Sequence, residues 1–268
     1  MSEAELVALE RDDDVVTLTF QDPERHNAMS RAMGEALKAR IERIGEDRSV
    51  RAVLLTGAGR AFSAGGDLGM LLDLAEQAAA GRALQETRDQ MREFYGLFLS
   101  VRTLPCPSIA AINGHAIGAG LCVALACDLR VASTSARLAL NFSRLGLHPG
   151  MAATWILPRL VGPARAAELL YTGRSISAAE AERIGMLNRA VAPEEVLSEA
   201  RQLARAVATS GPQAVRGLKR SLAGSAHAEL EAQLQLEATL QAACFASRDV
   251  TEGLAALRER REPEFEDR

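Results

Sequence analysis

No stretch of these 268 residues reaches eighteen consecutive apolar positions, so no part of the sequence reads as a membrane-spanning helix. The opening Met-Ser-Glu-Ala-Glu-Leu lacks the basic segment and apolar core of a secretion signal, and the expectation is a soluble, cytoplasmic protein. Surplus positive charge is also missing. Thirty-one Lys and Arg stand against 35 Asp and Glu, giving a net charge of -4 and a pI near 5.7, which argues against a broad nucleic-acid surface. Only four cysteines occur, Cys106, Cys122, Cys127 and Cys244. Cys122 and Cys127 are five apart, unlike a common zinc site, and His115 and His148 form no ligand pair at helical spacing, so buried reduced thiols are expected and no metal. Two further signatures are absent. Ser63 sits in Phe62-Ser63-Ala64-Gly65 rather than a Gly-x-Ser-x-Gly elbow, which excludes a hydrolytic serine of that kind. Neither Gly57-x-Gly59 nor Gly118-x-Gly120 continues to the third glycine of a dinucleotide-binding fingerprint, which excludes that class of oxidoreductase.

Two glycine-rich turns are present instead. Gly57-Ala-Gly-Arg-Ala-Phe-Ser-Ala-Gly-Gly-Asp-Leu68 follows the apolar run Ala52 to Thr56, and Asn113-Gly-His-Ala-Ile-Gly-Ala-Gly120 follows Ser108 to Ile112. Each leads into a helix-like segment. Small residues let the backbone approach a ligand closely, and N–H groups at a helix start carry partial positive charge. Two such turns suit an oxyanion hole, in which backbone donors meet negative charge developing on a carbonyl oxygen. The ligand implied is an activated acyl group.

Hydrophobic content of 48% supports a substantial core. Asp14 to Phe20 alternates as a strand, and Pro23 and Asn27 mark the turn after it. Ser30 reads as the N-cap of a helix running to about Ile44, with Met33, Leu37, Ile41 and Ile44 on one stripe. Arg51 to Thr56 reads as a buried strand, and Leu68 to Val101 as helix interrupted near Gly81. Pro107 to Asn113 is a strand, Gly118 to Cys127 a short apolar helix and Leu129 to Ser133 another strand. Beyond Thr154 the chain turns helical, with segments near Ala164 to Thr172, Ala178 to Ile184, Pro193 to Ser210, Pro212 to Ala223 and Ala226 to Ala246. The recurring order of strand, glycine turn and helix predicts an α/β chain of similar units without a strict sequence repeat. A core over 1–200 and a helical region over 201–268 are expected.

Four blocks also carry a resemblance: Asp22-Pro-Glu-Arg-His-Asn-Ala-Met29; Ala61-Phe-Ser-Ala-Gly-Gly-Asp-Leu68; Ile112 to Gly120 with Ala126-Cys-Asp128; and Asp249-Val-Thr-Glu-Gly253 with Arg258 to Phe265. In order, over about Leu6 to Phe265, they closely resemble the enoyl-CoA hydratase/isomerase (crotonase) superfamily. The resemblance implies a crotonase-like spiral of ββα units with a helical C-terminal trimerisation region, a homotrimer or dimer of trimers, and an acyl-CoA thioester as ligand. It implies no cofactor beyond the coenzyme A of the substrate. By the same resemblance the N–H groups of Gly66 and Ala119 point at the thioester oxygen. Arg25, His26 and Ala28 lie beside the CoA nucleotide, and Ala64 and Leu68 line the pantetheine path. Asp67, at a helix start, reads as a cap that fixes the turn. Phe245 and Arg258, Arg260 and Arg261 either complete a CoA site across an interface or are a core aromatic and a solvated face.

The resemblance also exposes a gap. Hydration of an enoyl-CoA uses a carboxylate pair to move protons to and from water and the α-carbon. The family's two glutamates align with Cys122 and Phe142, and a third acid of some isomerases aligns with Gly150. An ordinary thiol is mostly protonated at neutral pH, and phenylalanine transfers no proton. His148, in Gly146-Leu-His-Pro-Gly150, is either a proton-transfer group or a hydrogen-bonded loop histidine. Asp73, Glu76, Asp89 and Glu93 of the covering helix either reach inward or stay in water. Two functions remain: an acyl-CoA enzyme with an altered acid/base set, performing hydration or double-bond migration through a thioester enolate, or a non-catalytic acyl-CoA carrier.

Overall fold

Alternating apolar residues make Val15–Phe20 (β2) a central strand, and a computed structural model, which describes residues 6–267, pairs it with both neighbours. Val7–Asp12 (β1) runs antiparallel to it, with Val7 opposite Phe20. Ala52–Gly57 (β3), Ser108–Ile112 (β5), Leu129–Ser133 (β7) and Arg189–Val191 (β10) then add in parallel, giving a six-stranded sheet in the order β1-β2-β3-β5-β7-β10. A second sheet of four very short strands stands beside it: Ala61–Ser63 (β4), His115–Ile117 (β6), Arg137–Ala139 (β8) and Ile176–Ser177 (β9). The chain gives β3, β5 and β7 to the large sheet and the following β4, β6 and β8 to the small one, each pair leading on to helix. This is the spiral of ββα units that the resemblance implies.

Arg31–Glu46 (α1) starts where expected, with the Ser30 hydroxyl accepting the Met33 N–H at 3.2 Å, and it buries Met33, Leu37, Ile41 and Ile44. The long helical stretch breaks into Leu68–Ala79 (α2) and Leu84–Leu99 (α3), and Gly81 between them takes φ +94°, which a glycine adopts without strain. α3 lies close on α1 because Gly34 has no side chain; a Cβ there would come within 2.9 Å of Leu97 and Phe98. Ala119–Ala126 (α4) buries all eight residues. Ala153–Val161 (α5), Pro163–Thr172 (α6) and Ala178–Arg183 (α7) follow.

Val196–Ala208 (α8) sets Val196, Ala200 and Ala204 on the face of the large sheet formed by Val15, Leu54, Ile109 and Val131. Residue 200, expected as a boundary, therefore falls inside a helix that covers the sheet. Pro212–Ser225 (α9), Leu230–Phe245 (α10) and Arg248–Glu259 (α11) complete the helical end. Lys219 of α9 ties this end to the spiral, pairing with Asp128 at 2.8 Å and donating to the Cys106 carbonyl at 2.8 Å. α10 buries none of its residues, and Leu218, Leu222 and Phe245 stay exposed along a groove of about 590 Å³ between α9 and α10. Phe245 is thus not a core aromatic of this chain; Arg261 pairs with Glu252 at 2.6 Å.

Candidate active site

The two glycine turns meet. Gly65 takes φ +97°, and a Cβ there would sit 2.7 Å from the Ile117 carbonyl oxygen and 3.5 Å from the Ala119 nitrogen. Gly120 approaches closer still: a Cβ would lie 2.6 Å from that of Ser63, so the first turn of α4 can press against the end of β4 only as glycine. Ser63 is buried, donates to the Asn27 carbonyl at 2.8 Å and accepts the Gly65 N–H at 3.1 Å, which makes its hydroxyl a brace for the turn. Met29 bridges in parallel to Gly66, its N–H reaching the Gly65 carbonyl at 2.7 Å and its carbonyl accepting from Asp67 at 3.2 Å. This ladder leaves the Gly66 N–H unused. Neither it nor the Ala119 N–H, at the first position of α4, has a hydrogen-bond partner among the described residues.

Both groups open onto one cavity of about 360 Å³, in the range of small-molecule sites. Ala64, Phe142 and His148 line it with them. The cover is apolar: Met70, Leu71 and Leu74 from α2 and Met91 from α3. Among the described residues the only titratable side chains on the lining are His148 and Tyr95. His148 Nδ1 lies 2.7 Å from the Pro149 carbonyl oxygen. A carbonyl only accepts, so Nδ1 donates in this contact, and in the neutral ring Nε2 is then the nitrogen that carries the lone pair.

The other candidates lie around this cavity. Arg25, His26 and Ala28 share the loop whose His26 carbonyl accepts the Ala64 N–H at 2.9 Å. Buried Asn27 holds the loop, accepting from the Asp22 N–H and donating to the Ala58 and Ala61 carbonyls. Asp67 caps α2, Oδ1 accepting the Met70 N–H at 2.9 Å, while Oδ2 pairs with Arg25. The Arg25 guanidinium is therefore engaged by a carboxylate. Leu68 is exposed at the start of α2.

Cys122, one turn into α4, is fully buried and absent from the lining. Burial pushes its thiol up to about 12, so at neutral pH it stays protonated. The covering acids do not enter the lining either. Glu93 pairs with Arg31, Asp89 pairs with Arg88 at 2.8 Å, Glu76 is exposed, and exposed Asp73 lines a neighbouring cavity.

Two residues were not anticipated from sequence. Tyr95 on α3 is half-buried, and a Cβ at Gly150 would fall 2.5 Å from its hydroxyl oxygen. The spacing Met91 to Tyr95, four residues along one helix face, is the sequence signal that points to it. Arg130 is buried under the far end of α4, where it donates to the carbonyls of Leu125, Cys127, Asp128 and Met186 at 2.6–3.4 Å. A cation there complements the negative end of the helix while the positive end faces the cavity.

The site is a pair of free backbone N–H groups opening onto an apolar cavity within a ββα spiral, an arrangement suited to an oxygen that gathers negative charge. The sequence model of the enoyl-CoA hydratase/isomerase family matches residues 10–268, and the chain belongs to that family. It is 33% identical over 266 residues to crotonyl-CoA hydratase of Syntrophomonas wolfei, covering 97% of this chain and 98% of that one. To 1,2-epoxyphenylacetyl-CoA isomerase of Escherichia coli it is 36% identical over 251 residues, covering 94% of each. The crystal structure of enoyl-CoA hydratase from Bacillus anthracis superposes with a TM-score of 0.90 at 35% identity, covering 98% of this chain and 100% of that one. The fold is accordingly the crotonase-like α/β spiral, and the family acts on acyl-CoA.

Proposed function

We propose that this chain is an enzyme acting on an unsaturated acyl-CoA thioester, by hydration or double-bond migration, through an enolate whose oxygen is held by the N–H groups of Gly66 and Ala119. One observation carries the reading: two backbone donors from adjoining turns, both without partners among the described residues, line the same apolar cavity. Such donors stabilise charge that develops only as the reaction proceeds. The relatives named as a hydratase and an isomerase support the reaction class. In this reading the loop of Arg25, His26 and Ala28 passes the CoA nucleotide, with Ala64 and Leu68 along the pantetheine. Arg25 reaches a phosphate while sharing Asp67, whose task is to hold α2 and the turn in place.

The acid/base set departs from the carboxylate pair. Cys122 and Phe142 stand at the positions where the family resemblance implies glutamates. A thiol near 12 cannot serve as a base at neutral pH, so Cys122 is a packing residue of α4 behind the cavity lining. His148 Nε2 is the group available to take a proton. Standard short-chain hydratase activity is accordingly low. The exposed groove of α9 and α10 supports a trimer, or a dimer of trimers, as the assembled form.

The test pairs calorimetric binding of a non-reactive acyl-CoA analogue with mass spectrometry of a panel of 2-enoyl-CoAs incubated in deuterated water. Binding with hydrated or α-deuterated products is the expected result. Binding without either overturns the enzyme reading in favour of an acyl-CoA carrier; no binding overturns the acyl-CoA reading itself.

A further inference from the structure

Tyr95 is, with His148, one of the two titratable side chains on the cavity lining among the described residues. Its hydroxyl has no hydrogen-bond partner among the described residues, it lies on the cavity lining, and its position depends on a glycine. A Cβ at Gly150 would stand 2.5 Å from both Cζ and Oη of the ring, so the absence of a side chain at 150 makes room for the phenol. The carbonyl of Gly150 accepts the Cys122 thiol at 3.8 Å, which puts the phenol beside the first turn of α4, the helix that begins at Ala119. Tyr171, the other tyrosine, is 81% exposed on the surface.

We propose that Tyr95 is the proton donor to the α-carbon of the bound acyl group. The inference rests on the enolate reading above. Water adds through its oxygen to the β-carbon and loses a proton to His148 Nε2, and the alkene electron pair moves into the thioester to give the enolate. The enolate pair then takes the proton of Tyr95: the O–H bond breaks, a Cα–H bond forms and the thioester C=O returns. The phenolate recovers its proton from the His148 imidazolium through water. The sum is one water added across one C=C bond. Burial holds the Tyr95 phenol above its ordinary range, so it enters each cycle protonated.

The experiment uses full-length Tyr95→Phe, which deletes one oxygen that bonds to nothing else described. Turnover of the panel of 2-enoyl-CoAs in deuterated water is followed by mass spectrometry, with calorimetric binding of the non-reactive acyl-CoA analogue alongside. The expected result is a fall in kcat of about 10²–10⁴-fold, the usual worth of a positioned acid, with KM and analogue affinity little changed. Gly150→Ala, which displaces the ring but keeps its hydroxyl, should show the same loss. Full turnover in folded Tyr95→Phe overturns the inference and leaves the enolate reading standing. Wild-type protein that binds the analogue and yields no deuterated product overturns proton donation altogether, and failure of wild type to bind removes the acyl-CoA reading and this inference together.

Discussion

The floor and the cover of the cavity are made in opposite ways. The floor is backbone: the Gly65-Gly66 turn, the Gly118-Ala119 turn and α4, all eight of whose residues are buried. The cover is side chain: Met70, Leu71 and Leu74 come from α2, which buries only Leu74, and Met91 and Tyr95 come from α3, whose Phe94, Leu97 and Phe98 are buried. A floor built from N–H groups binds any oxygen of the right charge and tolerates little change in shape. A cover built from flexible apolar side chains sets which acyl group fits and repacks with little loss. In the proposed reading the carbonyl end and the acyl end of a ligand meet separate parts of the chain, under separate constraints.

Changes that attack the floor should have the largest effects. Gly66→Pro removes a donor N–H without removing any described hydrogen bond, and should cost at least 10²–10³-fold in turnover. Near-normal turnover, in a protein whose circular dichroism is unaltered, would remove Gly66 from the hole. Arg130→Met strips the carbonyls at the end of α4 of their buried donor, and should lower stability by about 3 kcal/mol or more in urea unfolding. A loss below about 1 kcal/mol would show that the floor does not depend on this cation.

On the cover, Leu74→Ala should cost about 2 kcal/mol, at the low end for a buried leucine because its site already borders a cavity. It should also shift preference in the enoyl-CoA panel toward bulkier acyl groups. An unchanged preference would mean that α2 does not set acyl shape, which would blur the division between floor and cover.

The smallest effect at neutral pH concerns the buried thiols. Burial pushes Cys106 up to about 11 and Cys122 and Cys127 up to about 12 from 9.0. Above pH 9 an unfolded chain gives up these protons and the folded chain keeps them. The stabilisation is complete below about pH 9 and is lost as the pH rises from 9 toward 12. Melting temperature should therefore be level near neutrality and fall above about pH 9, less steeply in Cys106→Ala/Cys127→Ala.

Much of the floor was legible in the sequence, because glycine and alanine at Gly65, Gly66, Gly118, Ala119 and Gly120 announce a backbone that must come close to something. The same holds for α1, whose Ser30 cap and apolar stripe are local signals. The small sheet was not legible. Strands of two or three residues such as β6 and β9 are too short to show a period of two, and only their pairing makes them strands. β1, α5 and α11 also went unread. Arg130 went unread as well, since its burial is tertiary and one of its four carbonyl partners, Met186, comes from far along the chain. Tyr95 was missed for a related reason: α3 shows its apolar face plainly, yet which flank of that face meets a cavity depends on Gly150, and that contact is tertiary.

An eight-residue helix is too short to persist in water by itself. α4 exists because β4, the large sheet and Arg130 surround it, and its first N–H is in place only once they are. During refolding, then, affinity for a thioester should return after the helical signal does, and the ligand site records the last step of assembly rather than the first.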